Sequence, residues 1–89
     1  MSTSLPTRPR LTVYSKPNCG PCMATYRALD AKGIPFEVVD LTATPAAIAY
    51  VTEELGYTQS PVVVDNTDEQ NHWSGFRPDR IDALLQGLD

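Results

Sequence analysis

The sequence predicts one α/β domain in which a four-stranded mixed sheet is flanked by three helices. A length of 89 residues suffices for one hydrophobic core. The composition, with 42% hydrophobic and 20% charged residues, is that of a globular protein. Apolar periodicity switches between strand and helix in the order βαβαββα, which implies parallel first strands joined by a right-handed crossover. We expect residues 1–89 to form a single domain, with residues 1–10 as a frayed N-terminal extension.

The first half of the chain contains two strand–helix pairs. Leu11–Ser15 alternates apolar and hydroxylated residues, which is typical of a strand. Helical spacing then runs from the cysteine-containing tetrapeptide to about Lys32, where glycine and proline stop it. Phe36–Leu41 is the second predicted strand, and Thr44 followed by Pro45 predicts the N-cap and first residue of the second helix. The apolar face of that helix consists of Ala47, Val51 and Leu55.

The second half predicts a hairpin followed by a helix. Pro61–Asp65 is a short apolar strand, and residues 66–68 (Asn-Thr-Asp) are typical of a turn. Gln70–Trp73 is predicted to return antiparallel to Pro61–Asp65. The last helix is predicted over Arg77–Leu88, with Pro78 near its start. Its apolar face consists of Ile81, Leu84, Leu85 and Leu88.

Composition argues against several classes of function. The net charge is −4, so there is no basic stripe for nucleic acid or an anionic membrane, and we expect neither as a partner. No apolar run approaches the roughly 20 residues that span a bilayer, and residues 1–10 lack the apolar core of a secretory signal. We expect a cytoplasmic protein, a monomer, whose partners are other proteins. The sole histidine, His72, is expected at the surface.

The candidate chemistry lies in the tetrapeptide Cys19-Gly20-Pro21-Cys22, which contains both cysteines of the chain. Because a zinc site needs four ligands and the only histidine is distant, we expect no metal. At a helix start, unpaired N–H groups and the helix dipole stabilise a thiolate, which favours Cys19 as a nucleophile. Cys22 follows one turn later, near the Cα separation of about 5.5 Å that disulfides prefer.

The pair predicts thiol–disulfide exchange. Cys19 attacks a partner disulfide, and Cys22 resolves the mixed disulfide. Because Cys22 heads the apolar face of the helix, we expect it to be more buried than Cys19 and to have the higher pKa. Pro21 stiffens the turn between the sulfurs, and Lys16 either adds positive charge near the thiolate or is simply solvated. The alternative of two inert core cysteines fits poorly, because Lys-Pro-Asn precedes Cys19.

Three segments resemble known families. Tyr14-Ser15-Lys16-Pro17-Asn18-Cys19 is similar to the glutaredoxin approach to the active site. Gln59-Ser60-Pro61-Val62-Val63 resembles the segment that carries a cis proline in proteins of the thioredoxin fold. Trp73-Ser74-Gly75-Phe76-Arg77-Pro78-Asp79 resembles the C-terminal signature of NrdH-redoxins, which are glutaredoxin-like proteins. The resemblance runs from about Leu11 to the last helix and implies a thioredoxin/glutaredoxin fold.

The resemblance implies a redox carrier with no bound cofactor other than the Cys19–Cys22 disulfide. Such a protein takes electrons from NADPH through thioredoxin reductase and passes them to a class Ib ribonucleotide reductase. The pair Gly20-Pro21 departs from the pattern, because it is the pair of thioredoxin itself. True thioredoxin is disfavoured, because that family places a strand and a helix before its active-site strand and this chain has too few residues there.

The resemblance also suggests supporting residues. If the Ser60–Pro61 bond is cis, Ser60 offers backbone groups beside Cys19 with which an extended partner segment can pair. The segment from Trp73 through Ser74, Gly75 and Phe76 to Arg77 is predicted to dock the partner. The alternative, left open by the sequence, is an aromatic pair that packs beneath the last helix.

Two other functions remain open at this point. A glutathione-dependent glutaredoxin is suggested by the chain length and by Lys16-Pro17. A non-enzymatic iron–sulfur module, in which two chains each lend a cysteine to a cluster, is a second possibility. Pro21 argues against the cluster, because a rigid turn resists re-aiming the sulfurs.

Overall fold

A computed structural model describes residues 9–86, which form one sheet with strand order β2-β1-β3-β4 and three α-helices. The strands are β1 (Leu11–Ser15), β2 (Phe36–Asp40), β3 (Val62–Asp65) and β4 (Asp68–Ser74). The helices are α1 (Gly20–Ala31), α2 (Pro45–Ala49) and α3 (Pro78–Gln86). β1 is parallel to β2 and antiparallel to β3, and β3 is antiparallel to β4. The predicted mixed sheet with three helices is confirmed.

Because successive side chains of a strand point to opposite faces of the sheet, the core is divided into two clusters, one on each face. Val13 pairs with Val63, and both are fully buried on the face that α1 and α3 cover. Val62 and Val64 point to the opposite face, where they pack against Val51. Helices therefore cover both faces, as predicted. The first cluster consists of Leu11, Val13, Leu29, Ile34, Val63, Trp73, Ile81 and Leu84.

The second helix differs from its prediction. α2 ends after five residues and continues as a π-helical turn over Tyr50–Glu54, in which the Leu55 N–H donates to the Tyr50 carbonyl at 3.1 Å. The Thr52 hydroxyl donates to the Ile48 carbonyl at 2.7 Å, which competes with the bond of a regular helix. Thr44 precedes the helix but forms no side-chain cap. Of the predicted apolar face, Ala47 and Val51 are buried and Leu55 is half-buried.

Several element ends shift by a few residues. β2 ends at Asp40 rather than Leu41, because the Asp40 carboxylate accepts a hydrogen bond from the Thr42 N–H at 2.8 Å and caps a 3-10 turn. β4 starts two residues earlier than predicted, at Asp68, and extends to Ser74. α3 starts at Pro78 rather than Arg77, and the predicted end at Leu88 lies outside the described residues. Within residues 9–86, no helix has the length and apolarity to cross a membrane.

Pro9 and Arg10, which belong to the extension that was expected to fray, form hydrogen bonds with the β3–β4 turn. The Asn66 backbone N–H donates to the Arg10 carbonyl at 2.8 Å, and the Asn66 side-chain amide donates to the Pro9 carbonyl at 2.9 Å. The Arg10 guanidinium forms two hydrogen bonds, at 3.3 and 3.2 Å, with the carboxylate of Asp65. These contacts tie the start of β1 to the β3–β4 turn. Residues 1–8 lie outside the described residues.

Candidate functional site

The two cysteines are joined by a disulfide at the start of α1, with their Cα atoms 5.2 Å apart. Cys19 is the N-cap residue of α1, and its Sγ accepts a hydrogen bond from the Cys22 N–H at 3.2 Å. Pro21 occupies the first turn, where a backbone N–H would have no helical partner. Gly20 is exposed, and a Cβ at this position would meet nothing within 4 Å. The helix start therefore directs the backbone N–H of Cys22 toward the Cys19 sulfur.

The two cysteines are not equally shielded. Cys19 is 8% exposed and Cys22 is 1% exposed, as expected from their positions on the helix. An incoming disulfide reaches Cys19 more easily, whereas Cys22 lies behind it within bonding distance. This asymmetry suits one attacking and one resolving thiol.

The loop that leads into α1 depends on a left-handed residue. Asn18 has a φ of 58°, which asparagine tolerates better than most residues with a side chain. Its conformation turns the chain from β1 so that Cys19 can begin the helix. Lys16 and Pro17 are exposed in the same loop. Lys16 therefore keeps its ammonium in water beside the site, in agreement with the solvated alternative.

A second loop approaches Cys19 from the start of β3. The Ser60–Pro61 peptide bond is cis, as the resemblance implied, and the Ser60 Oγ lies 3.6 Å from the Cys19 Sγ. The Pro61 carbonyl accepts a hydrogen bond from the Gly75 N–H at 2.8 Å. Gly75 has a φ of 81°, a conformation that glycine adopts without steric cost. The glycine after β4 thus anchors the loop that carries Ser60.

Two grooves open at Cys19. One has a volume of about 490 Å³ and runs between the α1 start, the Ser60 loop and Phe76, whose side chain is 41% exposed. The other has a volume of about 470 Å³ and runs along α1 past Met23 and Tyr26. Among the described residues that line these grooves there is no carboxylate, and Lys16 is the cation common to both. An extended segment of a partner can therefore lie across Cys19.

The segment 73–77, which was predicted to dock the partner, lies partly in the core and partly along the groove at Cys19. Trp73 is only 3% exposed and belongs to the main core, and the Arg80 guanidinium lies 5.4 Å from the centroid of its ring. Ser74 pairs with Val62 at the end of β4, and Gly75 and Phe76 line the groove at Cys19. For Trp73, the structure favours the packing alternative.

Arg77, the last residue of that segment, is exposed and paired with a carboxylate at the start of α3. Its guanidinium donates to the Asp79 carboxylate at 3.1 and 2.9 Å. These hydrogen bonds lower the pKa of Asp79 and raise the pKa of Arg77. The same carboxylate stands in the first turn of α3, where a negative charge is favourable. Arg77 therefore helps to define the start of α3.

His72, which was expected at the surface, is half-buried. Its Nδ1 lies 2.7 Å from the Tyr57 hydroxyl, and the two rings meet edge to face with centroids 5.4 Å apart. Tyr57 precedes the loop that carries Ser60, so this contact links β4 to that loop. The sequence contains no local signal for it, because the two residues are 15 positions apart on different elements.

Comparison with known proteins adds to this geometry. Residues 11–68 match the family model of glutaredoxin. Identity is 43% over 75 residues to the gene 56 protein of Mycobacterium phage L5, covering 84% of this chain and 71% of that protein. Identity is 39% over 75 residues to the glutaredoxin-like protein NrdH of Escherichia coli K12, covering 84% and 88% respectively. The solved structure of Escherichia coli NrdH-redoxin, a glutaredoxin-like protein with a thioredoxin-like activity profile, matches at a TM-score of 0.73 and 39% identity. That match covers 84% of this chain and 93% of the solved chain.

Proposed function

Because the chain belongs to the glutaredoxin family, as an NrdH-like thiol–disulfide oxidoreductase, we propose that it is a dithiol electron carrier with thioredoxin-like partners. It takes electrons from NADPH through thioredoxin reductase and delivers them to a class Ib ribonucleotide reductase in the cytoplasm. The Cys19–Cys22 disulfide is its redox group, and it needs no other cofactor. The observation that carries the proposal is this disulfide at the start of α1, with the less buried sulfur open to two grooves.

The NrdH resemblance supports the choice of partners. Escherichia coli NrdH-redoxin, at 39% identity, combines a glutaredoxin-like chain with a thioredoxin-like activity profile. The segment from Trp73 to Asp79 resembles the C-terminal signature of NrdH-redoxins, and its Gly75 and Phe76 flank the groove at Cys19. A protein segment that lies in this groove contacts both the Ser60 loop and the Phe76 ring. These contacts suit a protein disulfide as the substrate.

One full cycle passes two electrons from the reductase to the partner and returns the protein to its starting redox state. The Cys19 thiolate attacks the partner disulfide, forms a mixed disulfide and releases one partner thiolate. Cys22 then loses its proton and attacks the Cys19 sulfur, which releases the second partner thiolate and restores the Cys19–Cys22 bond. The partner gains two electrons and the carrier is oxidised. Thioredoxin reductase returns the carrier to the dithiol at the expense of NADPH.

A coupled assay tests these partners. The oxidised protein, NADPH and thioredoxin reductase should consume NADPH, and adding a class Ib ribonucleotide reductase with its substrate should sustain the consumption through deoxynucleotide formation. The Cys19→Ser variant is the blank. Turnover with glutathione and glutathione reductase, without turnover with thioredoxin reductase, would assign the protein to glutathione-dependent glutaredoxins instead.

Phe76 and Trp73 should respond differently to truncation. Phe76→Ala should lower the free energy of unfolding by about 1 kcal/mol or less, well below the cost of emptying a core position, because 41% of the residue is exposed. It should raise the KM for the protein partner several-fold by removing apolar contact in the groove. Trp73→Ala should destabilise the fold by about 3 to 5 kcal/mol, because it empties a core position. Steady-state kinetics and urea unfolding measure the two effects.

Val38→Ala is the matched control for Phe76. Val38 is an exposed apolar residue, 51% accessible, on the β2 edge and outside both grooves at Cys19. Its truncation should change neither KM nor kcat. An equal change of KM in the two variants would remove Phe76 from the docking surface.

A further inference from the structure

We propose that the Ser60 hydroxyl donates a hydrogen bond to the Cys19 sulfur and stabilises the Cys19 thiolate after the disulfide is reduced. Ser60 is thereby a catalytic residue, because its side chain touches the reacting atom. The inference rests on the proposed function in one respect, namely that Cys19 is the nucleophile. The Ser60 backbone was expected to pair with a partner segment, whereas the role proposed here belongs to the Ser60 side chain.

The direction of the hydrogen bond follows from the state of the sulfur. In the disulfide, the Cys19 Sγ carries no hydrogen, so the Ser60 hydroxyl at 3.6 Å must be the donor. Among the described residues, the Cys19 sulfur is the hydroxyl's hydrogen-bond partner, and no second acceptor competes for it. Reduction turns this sulfur into a thiolate, a much stronger acceptor, at the same place. A hydrogen bond to a charged group is worth more than one to a neutral group.

The donor is held in place by contacts outside the disulfide. The neighbouring Pro61 carbonyl accepts a hydrogen bond from the Gly75 N–H at 2.8 Å, and Pro61 is itself buried at the start of β3. Ser60 is half-buried, so water competes only partly for its hydroxyl. The hydroxyl is therefore pre-positioned before the charge appears.

Other groups near the sulfur act differently. The Cys22 N–H donates to the Cys19 sulfur at 3.2 Å. This donor belongs to the backbone, so it does not depend on which side chain stands at position 60. The titratable side chains that line the two grooves are Lys16 from the β1–α1 loop and Tyr26 from α1, with no carboxylate among the described lining residues. Lys16 is exposed, and solvent weakens its attraction to the thiolate. Ser60 is the side-chain donor for which the structure records a contact with the sulfur.

The proton balance gives this contact a pH signature. Reduction by a dithiol breaks the S–S bond and adds two electrons. Above the pKa of Cys19 it adds one proton, to Cys22, whereas below that pKa it adds two. A hydroxyl whose hydrogen bond is stronger to the thiolate than to the disulfide or the neutral thiol therefore favours the reduced protein where Cys19 is ionised. A packing effect of residue 60 would act at every pH.

The test compares Ser60→Ala, Ser60→Thr and the wild-type protein in their reduced forms. Thiolate ultraviolet absorbance against pH gives the pKa of Cys19, with the Cys19→Ser variant identifying its contribution. Ser60→Ala should raise this pKa by about one unit, a tenfold loss in the ionisation constant, and Ser60→Thr should restore most of it. At a pH above the Cys19 pKa of both the wild type and the variant, the reduction potential of Ser60→Ala should be about 30 mV lower than that of the wild type, the equivalent of that tenfold change. At a pH well below these two Cys19 pKa values, the wild type and Ser60→Ala should have the same reduction potential.

Two control variants complete the experiment. Thr58→Ala removes a hydroxyl from the same loop that has no recorded bond to the sulfur, and it should leave the pKa of Cys19 unchanged. Lys16→Gln should shift the pKa by less than Ser60→Ala does. An unchanged pKa in Ser60→Ala, or a potential difference that persists at low pH, would overturn the inference while leaving Cys19 as the nucleophile. If the pKa of Cys19 in the wild type were not lower than that of Cys22, Cys19 would not be the preferred nucleophile and the proposed function itself would be contradicted.

Discussion

Replacing Cys19 with serine should lower disulfide reduction by about a thousandfold or more, whereas replacing Cys22 with serine should accumulate a covalent complex with the partner. Cys19 is the less buried sulfur, and its helix position stabilises the ionised form. Without Cys19, no accessible thiolate starts the exchange. Without Cys22, the first step proceeds, but the mixed disulfide has no neighbouring thiol to resolve it.

Non-reducing electrophoresis and mass spectrometry of the trapped species measure this difference. The Cys22→Ser variant should give a band at the summed mass of the carrier and its partner, and dithiothreitol should remove it. The double variant is the control, because it contains no cysteine and should form no adduct. Equal adduct formation by the two single variants would reverse or abolish the assigned roles.

Replacing Arg10 with leucine should lower the free energy of unfolding by about 3 kcal/mol at neutral pH. The Asp65 side chain is 2% exposed, and the Arg10 guanidinium contacts both of its carboxylate oxygens. Among residues 9–86, removing the cation leaves a buried carboxylate that only the Thr67 backbone N–H and hydroxyl satisfy. Urea unfolding at several pH values measures the cost.

The sign of the pH dependence follows from Asp65. Burial alone raises its pKa, but the hydrogen bonds from Arg10 and Thr67 outweigh it, and the pKa lies below the usual 3.8. The ion pair therefore stabilises the fold above the unfolded pKa and loses this contribution as the pH falls through the lower folded value. In Arg10→Leu, Asp65 protonates more readily, so the difference between the two proteins should shrink on acidification.

A surface ion pair provides the control for Arg10. Lys32 and Asp82 join α1 to α3 at 2.7 Å, with 33% and 57% of their side chains exposed. Because such pairs contribute about 1 kcal/mol or less, Lys32→Leu should cost little. If Arg10→Leu cost no more than Lys32→Leu, the Asp65 contact would not stabilise the start of β1.

Local patterns in the sequence predicted most of the fold. The alternation in Leu11–Ser15 and the run before Asp65 place both central strands, and the Cys19 tetrapeptide opens α1 as expected. These features depend on neighbours in the chain, which is why one sequence suffices to find them. The π-helical end of the second helix was missed, because its apolar spacing is also that of a regular helix.

Contacts between distant residues could not be predicted from pattern. The proximity of Ser60 to Cys19, 41 positions away, was expected only from the resemblance to proteins of the thioredoxin fold. The Arg10–Asp65 pair joins residues 55 positions apart, and nothing in the sequence indicated it. Each depends on the register in which β1 lies between β2 and β3. A charged residue in a proline-rich, polar terminus gives no sign that it will meet a buried carboxylate. The same holds for Trp73, whose motif fits a docking surface and a core equally well until the sheet is assembled.

The most direct test of the redox site is the alkylation rate of each thiol in the reduced protein as a function of pH. With peptide mapping to separate the two cysteines, Cys19 should react fast at neutral pH and lose its reactivity through a single ionisation well below the ordinary thiol value of about 8.5. Cys22 should stay unmodified until the fold is disrupted. Two thiols that react slowly and alike in the native protein would contradict an ionised, accessible sulfur at the start of α1.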